Sequence, residues 1–197
     1  MLRRLFGRHP ARTELVRVVV RLSDRAQPVD REGLYEEPLE DLLDEREWGE
    51  VTGGGTQLRD SGEIEACDIE LQLTRCDDEV LDAIVAELEA AGAPRGSELR
   101  LPEPRPARPF GKTEGLGIYL NGTDLPEATY RDCDSNVVYD EFDRLLEGIG
   151  FVHSHWQGPT ETALYVYGTS SDAMRQALQP FLDSYPLCAG ARVQSIT

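Results

Sequence analysis

The same order of elements is written twice in this chain. From Leu15 onward the hydrophobic periodicity reads strand, helix, strand, strand, helix, strand, and from Gly117 onward it reads the same again. The helices agree in register as well as in order. Leu42 and Leu43 fall opposite Leu145 and Leu146, while Leu81, Ile84, Val85 and Leu88 fall opposite Met174, Ala177, Leu178 and Phe181. Such a chain is restricted to two small α+β units, and 197 residues of which 40% are hydrophobic supply two small cores.

In the first repeat, Val16, Val18, Val20 and Leu22 alternate with Arg17, Val19 and Arg21, the period of a half-buried strand. Pro38 to Glu47 places Leu39, Leu42 and Leu43 on one helical stripe. The segment from Trp48 to Thr74 reads as strand, loose turn at Gly53, Gly54 and Gly55, and strand, with Cys67, Ile69, Leu71 and Leu73 opposite Asp68, Glu70 and Gln72. The acids match Arg17 and Arg21, so these two strands are expected to be neighbours with a solvated outer face. Asp77 or Asp78 caps a helix carrying Val80, Leu81, Ile84, Val85 and Leu88, which Gly92 and Pro94 end before a short strand from Ser97 to Leu101.

Pro102, Pro104, Pro106 and Pro109 then mark an extended spacer. The expected organisation is a basic tail (residues 1–13), a first repeat (14–101), a linker (102–113) and a second repeat (114–197). The second repeat opens with a strand from Gly117 to Asn121 and a long polar loop, then a helix from Val137 to Gly148. A hairpin from Phe151 to Gly168 turns at Gly158-Pro159. A helix capped by Ser171 follows, with Pro180 expected to kink or shorten it, and a strand from Ala191 to Ile196 closes the unit.

This doubled βαββαβ order resembles the ferredoxin-like fold over nearly the whole chain from Leu15. The resemblance implies an α+β protein of two antiparallel sheets, each with its helices on one face. It also implies right-handed crossovers that gather three ends on one rim: the loop after the first strand, the turn between the second and third, and the start of the fourth. In the second repeat that rim holds Asp132, Cys133, Asp134 and Asn136, then Trp156, Gln157, Gly158 and Pro159, then Tyr185, Pro186 and Cys188. In the first it offers Ser23, Asp24, the glycine triplet and Pro94, a poorer set. The fold hosts many activities, so function has to come from a site.

His153 and His155, two apart on a strand, are expected on one face, where they could begin a zinc site completed by Asp132, Asp134, Cys133 or Cys188. No paired-cysteine or EF-hand spacing accompanies them, so they stand as weak metal candidates against a reading as surface residues. Cys133 or Cys188 with His155 and an aspartate could supply a nucleophile, a base and an orienting group, but no motif fixes that geometry. The glycine triplet leads into a strand rather than a helix and lacks the setting of a phosphate loop. Tyr119, Tyr165 and Tyr167 fall on the face opposite Ile118, Leu164 and Val166, and with His153 and His155 they form a surface suited to burial against a partner. The equal alternative is that this face packs on the other repeat, or on a second copy as a homodimer.

A formal charge of -17 argues against sequence-independent nucleic-acid binding and for solubility or a basic protein partner. Four cysteines without CxxC spacing, and no apolar run of signal-peptide or membrane-span length, suggest the reducing cytoplasm. Arg3, Arg4, Arg8 and Arg12 read as a frayed terminus. The expectation is a non-enzymatic acidic binding protein of bacterial type, an immunity- or antitoxin-like inhibitor or regulatory module. The alternative is a small-ligand or metal-binding protein, extending to a hydrolase-type enzyme, with its site on the C-terminal rim. No motif requires a cofactor.

Overall fold

The computed structural model describes residues 15–197, and the basic tail lies outside the described residues. The first repeat contains β1 (Val16–Leu22), α1 (Pro28–Arg31), a π-helical turn (Glu32–Glu36), α2 (Glu37–Glu45), β2 (Gly49–Leu58), β3 (Ile64–Leu73), α3 (Asp78–Ala90), β4 (Ser97–Arg100) and β5 (Arg108–Phe110). The second contains β6 (Glu114–Asn121), α4 (Glu127–Asp132), α5 (Ser135–Leu145), β7 (Gly150–Gln157), β8 (Glu161–Gly168), α6 (Ser171–Ser184), a 3₁₀ turn (Pro186–Cys188) and β9 (Arg192–Ser195). The strands run β2-β3-β1-β4-β5 and β7-β8-β6-β9, antiparallel throughout. Counted within each repeat, both sheets therefore have the order second, third, first, fourth. This is a tandem of ferredoxin-like units.

Alternation in sequence becomes two separate cores. Val18, Val20, Leu22, Ile69, Leu71 and Leu73 meet Leu39, Leu43, Leu81 and Ile84 in the first, while Ile118, Leu164 and Val166 meet Val138, Phe142, Met174 and Leu178 in the second. β1 pairs with β3 as the charges require, with Arg17 2.9 Å from Glu70 and Arg21 3.2 Å from Asp68 on the outer face. Asp77 caps α3 by accepting from the Val80 amide.

Four local expectations are corrected. The glycine triplet is not the turn: Gly53, Gly54 and Gly55 lie within β2, paired to Glu70, Ile69 and Asp68, and the turn is at Arg59–Glu63. A side chain at Gly54 would strike the Arg31–Glu36 ion pair, so the small residues admit the helical segment rather than reverse the chain. That segment starts at Pro28, ahead of the expected Pro38, because Pro28 supplies a favourable helix start. The polar loop before α5 contains α4. The cap of α6 is Ser170, whose hydroxyl accepts from Ala173, and the helix continues past Pro180 to Ser184.

The proline-rich stretch is not extended throughout, since it turns at Pro102–Arg105 before it straightens, and it is not free. Arg108, Pro109 and Phe110 add a fifth strand to the first sheet, and Lys112 and Thr113 bond back to Ala93 and Arg95. Gly111 adopts φ +107°, and a Cβ there would lie 1.9 Å from the Pro94 carbonyl oxygen. Gly111→Ala should therefore destabilise the protein by at least about 2 kcal/mol and lower the melting temperature by roughly 5 °C or more. An unchanged thermal melt would show that this segment is not docked.

Candidate functional site

The outer face of the second sheet is where the two repeats meet. Gly115, Gly117 and Tyr119 on β6 pair with Tyr167, Tyr165 and Ala163 on β8, so glycines stand opposite tyrosines. The glycines make room: a Cβ on Gly117 would come within 2.9 Å of the Tyr119 ring, and one on Gly115 within 2.7 Å of Tyr167. Tyr119, Ala163, Tyr165 and Tyr167 form a third buried cluster, joined by Trp156 and Ile196. The first repeat covers it with the loop after β1 and the β2–β3 turn. Of the three dispositions the sequence left open for this face, a partner, the other repeat or a second copy, packing on the other repeat is the one found.

Buried phenols need partners, and the first repeat supplies them. The Tyr119 and Tyr165 hydroxyls donate to one oxygen of Glu63, Oε1, at 2.8 and 2.7 Å. The Arg25 amide donates to the Tyr167 hydroxyl at 3.1 Å, and the Ser154 hydroxyl donates to the Arg25 carbonyl at 2.8 Å. The Arg25 guanidinium is buried, donates to the Ile64 carbonyl and stands 5.8 Å from the Tyr165 ring centroid. Its Nε has no hydrogen-bond partner among the described residues. Gln27 donates to the His155 carbonyl at 3.0 Å across the junction.

A second polar knot adjoins the first. Asp24, 1% exposed, accepts from Tyr35 at 2.5 Å and from the Ala26 amide at 3.0 Å. Its Oδ1 also stands 2.8 Å from His153 Nε2, a close contact whose direction misses hydrogen-bond geometry. The His153 ring packs edge-on against Tyr167 at 5.0 Å and Phe151 at 5.8 Å. Burial first, then Asp24, pushes the Tyr35 and Tyr167 phenols above their ordinary values, so both remain neutral donors or acceptors.

The histidine pair is split. β7 and β8 shift register between Val152 and Ser154, a β-bulge at His153, so Ser154 and Trp156 share the tyrosine face. His155 pairs with Leu164 on the helical side and lies edge-on to Tyr139 of α5 at 6.5 Å. The alternation rule put both histidines on one face and Trp156 on the other. One extra residue in the strand reverses that assignment, and it parts the two weak metal candidates. Among the described residues no group of three or more His, Cys, Asp and Glu converges as metal ligands.

The C-terminal rim is likewise divided. Asp132 pairs with Arg131, Asp134 caps α5 by accepting from Asn136, and Tyr185 bonds both backbone groups of Asp134. Asp132, Cys133, Asp134 and Asn136 thus sit in the helical layer, with exposed acids and a half-buried thiol. Trp156 lies on the opposite sheet face and folds over Gly158, while Gln157 is exposed. Burial pushes the Cys188 thiol up to about 11, and burial followed by Asp24 pushes Cys67 up to about 12, which keeps both protonated at neutral pH. Arg25 and Glu63 escaped the sequence reading. The signal that could have found their partner surface was glycine alternating with isoleucine and leucine in β6 opposite tyrosines in β8.

The junction sets a pH window. Burial raises the Glu63 pKa, but the Tyr165, Tyr119 and Ser61 hydroxyls and the Arg25 charge together hold it below the usual value. Its contribution is therefore present above the unfolded carboxyl value of ~4.3 and lost as pH falls through the lower folded value. Tyr119 and Tyr165 are raised, first by burial and then by Glu63, so theirs is present below ~10 and lost as pH rises through the folded values. Glu63→Ala should cost about 3 kcal/mol at neutral pH and flatten the acid limb of a melting-temperature profile. Tyr165→Phe should cost about 1–2 kcal/mol alone and much less in the Glu63→Ala background. Additive losses would mean that the two groups are not coupled.

No family model and no curated relative matches the sequence. Among solved structures the chain is similar to the first two RRM domains of the yeast poly(U)-binding protein Pub1, at 12% identity over 91% of this chain and 99% of that one, with a TM-score of 0.25. It is also similar to the regulatory subunit of aspartate kinase from Thermus flavus, at 13% identity over 85% and 94% of the two chains, with a TM-score of 0.27. Likenesses of this size transfer no activity, and the fold assignment rests on the strand order.

Proposed function

We propose that the protein is a non-enzymatic acidic binding protein that captures a basic protein partner, in the manner of an immunity- or antitoxin-like inhibitor. The observation that carries this reading is the helical face from α1 to the start of β2. Asp30, Glu32, Glu37, Glu40, Asp41, Asp44, Glu45, Glu47 and Glu50 are all exposed there, and none forms an ion pair among the described residues. Elsewhere the arginines are engaged, as in Arg108 with Asp82, Arg144 with Glu141 and Arg192 with Glu161.

The arrangement works against the helix that bears it. Asp44 and Glu45 occupy the last turn of α2, at the negative end of its dipole, with no base in that turn. Glu37 with Asp41, Glu40 with Asp44, and Asp41 with Glu45 are like charges four residues apart. A face that costs stability fits a role in recognition, where it would speed the encounter with a basic surface and make it salt-dependent.

Stability and binding should therefore separate. The variant Glu40→Gln, Asp44→Asn, Glu45→Gln should melt roughly 1–3 °C higher than the native protein. The immobilised native protein should retain a basic protein from its own cell lysate at low salt and release it as salt rises, and the variant should retain much less. Retention that the three substitutions leave unchanged would remove the acidic face from the mechanism.

A further inference from the structure

Beside the acidic face, the junction between the repeats opens into a cleft of about 260 Å³. Its walls are mainly apolar and come from both repeats: Pro28, Leu58 and Ile64 from the first, with Gln27 and Thr56 beside them, and His155, Trp156 and Tyr165 from the second. Leu58 on its wall is 58% exposed, so the cleft opens onto an apolar side chain in water. A large apolar side chain left in water beside a preformed cleft marks a contact surface. The volume falls below the ~300–1,000 Å³ of sites for drug-sized molecules, and suits one large side chain entering from outside.

Charge defines what that side chain is attached to. Asp30 and Glu32, exposed, follow Pro28 on one wall, and Asp60, exposed, stands between Leu58 and Gly62 in the β2–β3 turn. We propose that this cleft is the anchor pocket of the acidic face, taking an aromatic side chain from a basic segment of the partner protein. Lysines or arginines flanking the aromatic residue meet Asp30, Glu32 and Asp60, while its ring packs against Trp156, Tyr165 and Leu58. An aromatic anchor in a largely desolvated pocket with charge at its rim is the usual distribution of energy in a protein interface. The assignment rests on the acidic-face reading above and adds the source of affinity that exposed charges alone do not give.

Two synthetic peptides separate the claims. Both are twelve-residue chains of lysine, arginine, glycine and serine with the same charge, one with a central phenylalanine and the other with alanine there. Titrated into the full-length protein at low salt, the phenylalanine peptide should bind at least about tenfold more tightly. That gain should vanish in Leu58→Ser and in Trp156→Ala, while the weaker binding of the alanine peptide persists in both. Leu58→Ser alters an exposed side chain and guards against a folding defect in the Trp156 variant, which a thermal melt would reveal. Equal affinity of the two peptides for the native protein, or a gain that survives Leu58→Ser, overturns the anchor pocket and leaves the acidic face standing. Failure of both peptides to bind overturns both readings.

Discussion

Three tyrosines that cannot be left dry and unpaired hold the two repeats together. A sheet face of Tyr119, Tyr165 and Tyr167 offers a large apolar area, yet each ring carries a hydroxyl whose burial costs free energy unless a partner is supplied. Glu63 satisfies two of them with one oxygen, and the Arg25 amide satisfies the third. The dependence is mutual. Glu63 is a carboxylate at 7% exposure, and it is tolerable there because two phenols and a hydroxyl donate to it with Arg25 close by. Removing one member leaves the others buried and unsatisfied, so the interface acts as one unit rather than as separable contacts.

That requirement explains the asymmetry between two repeats of one topology. β2 and β3 are ten residues each, whereas β7 and β8 are eight. The longer hairpin carries Glu63 and Ile64 onto the neighbouring sheet, and the loop after β1 brings Asp24 and Arg25 beside it. Among the described residues the first sheet's own outer face has no such cover, and it is built from Arg17, Arg21, Asp68 and Glu70, which pair with one another. The same face of the same fold is therefore aromatic where the chain covers it and charged where solvent does.

Most of the architecture was legible because it is periodic. Strand alternation and helical stripes placed β1, β3, α3, α5 and the β7–β8 hairpin, and complementary charge correctly paired β1 with β3. What was not legible is aperiodic. The bulge at His153 is a single inserted residue that inverts the facing of everything after it, and alternation carries no trace of it. The glycine triplet signalled a turn by composition while serving as a gap for Arg31 and Glu36. For the site, alternation marked the tyrosine face for burial against a partner or against the other repeat, and the other repeat covers it. Its cover was hidden because isolated charged residues in loops, such as Arg25 and Glu63, look like ordinary solvated positions until the fold brings them to a phenol.

The charge of the chain is informative for its placement rather than its size. An excess of seventeen acids over bases leaves many carboxylates unpaired wherever the bases go. Yet nine exposed acids that form no ion pair among the described residues fall between Asp30 and Glu50, on a helical segment that buries Leu39 and Leu43 on its other side. The junction itself holds Asp24 and Glu63 in bonded, buried settings and draws Arg25 into them. The fold thus buries Asp24, Arg25 and Glu63 in the joint, while the densest run of exposed acids lies from α1 to the start of β2 and others, such as Asp140, Asp143, Glu147 and Asp172, are spread over the second repeat. None of the hydrogen bonds described across the junction uses an acid of the acidic face, so its charges can change partners without removing a bond that holds the two repeats.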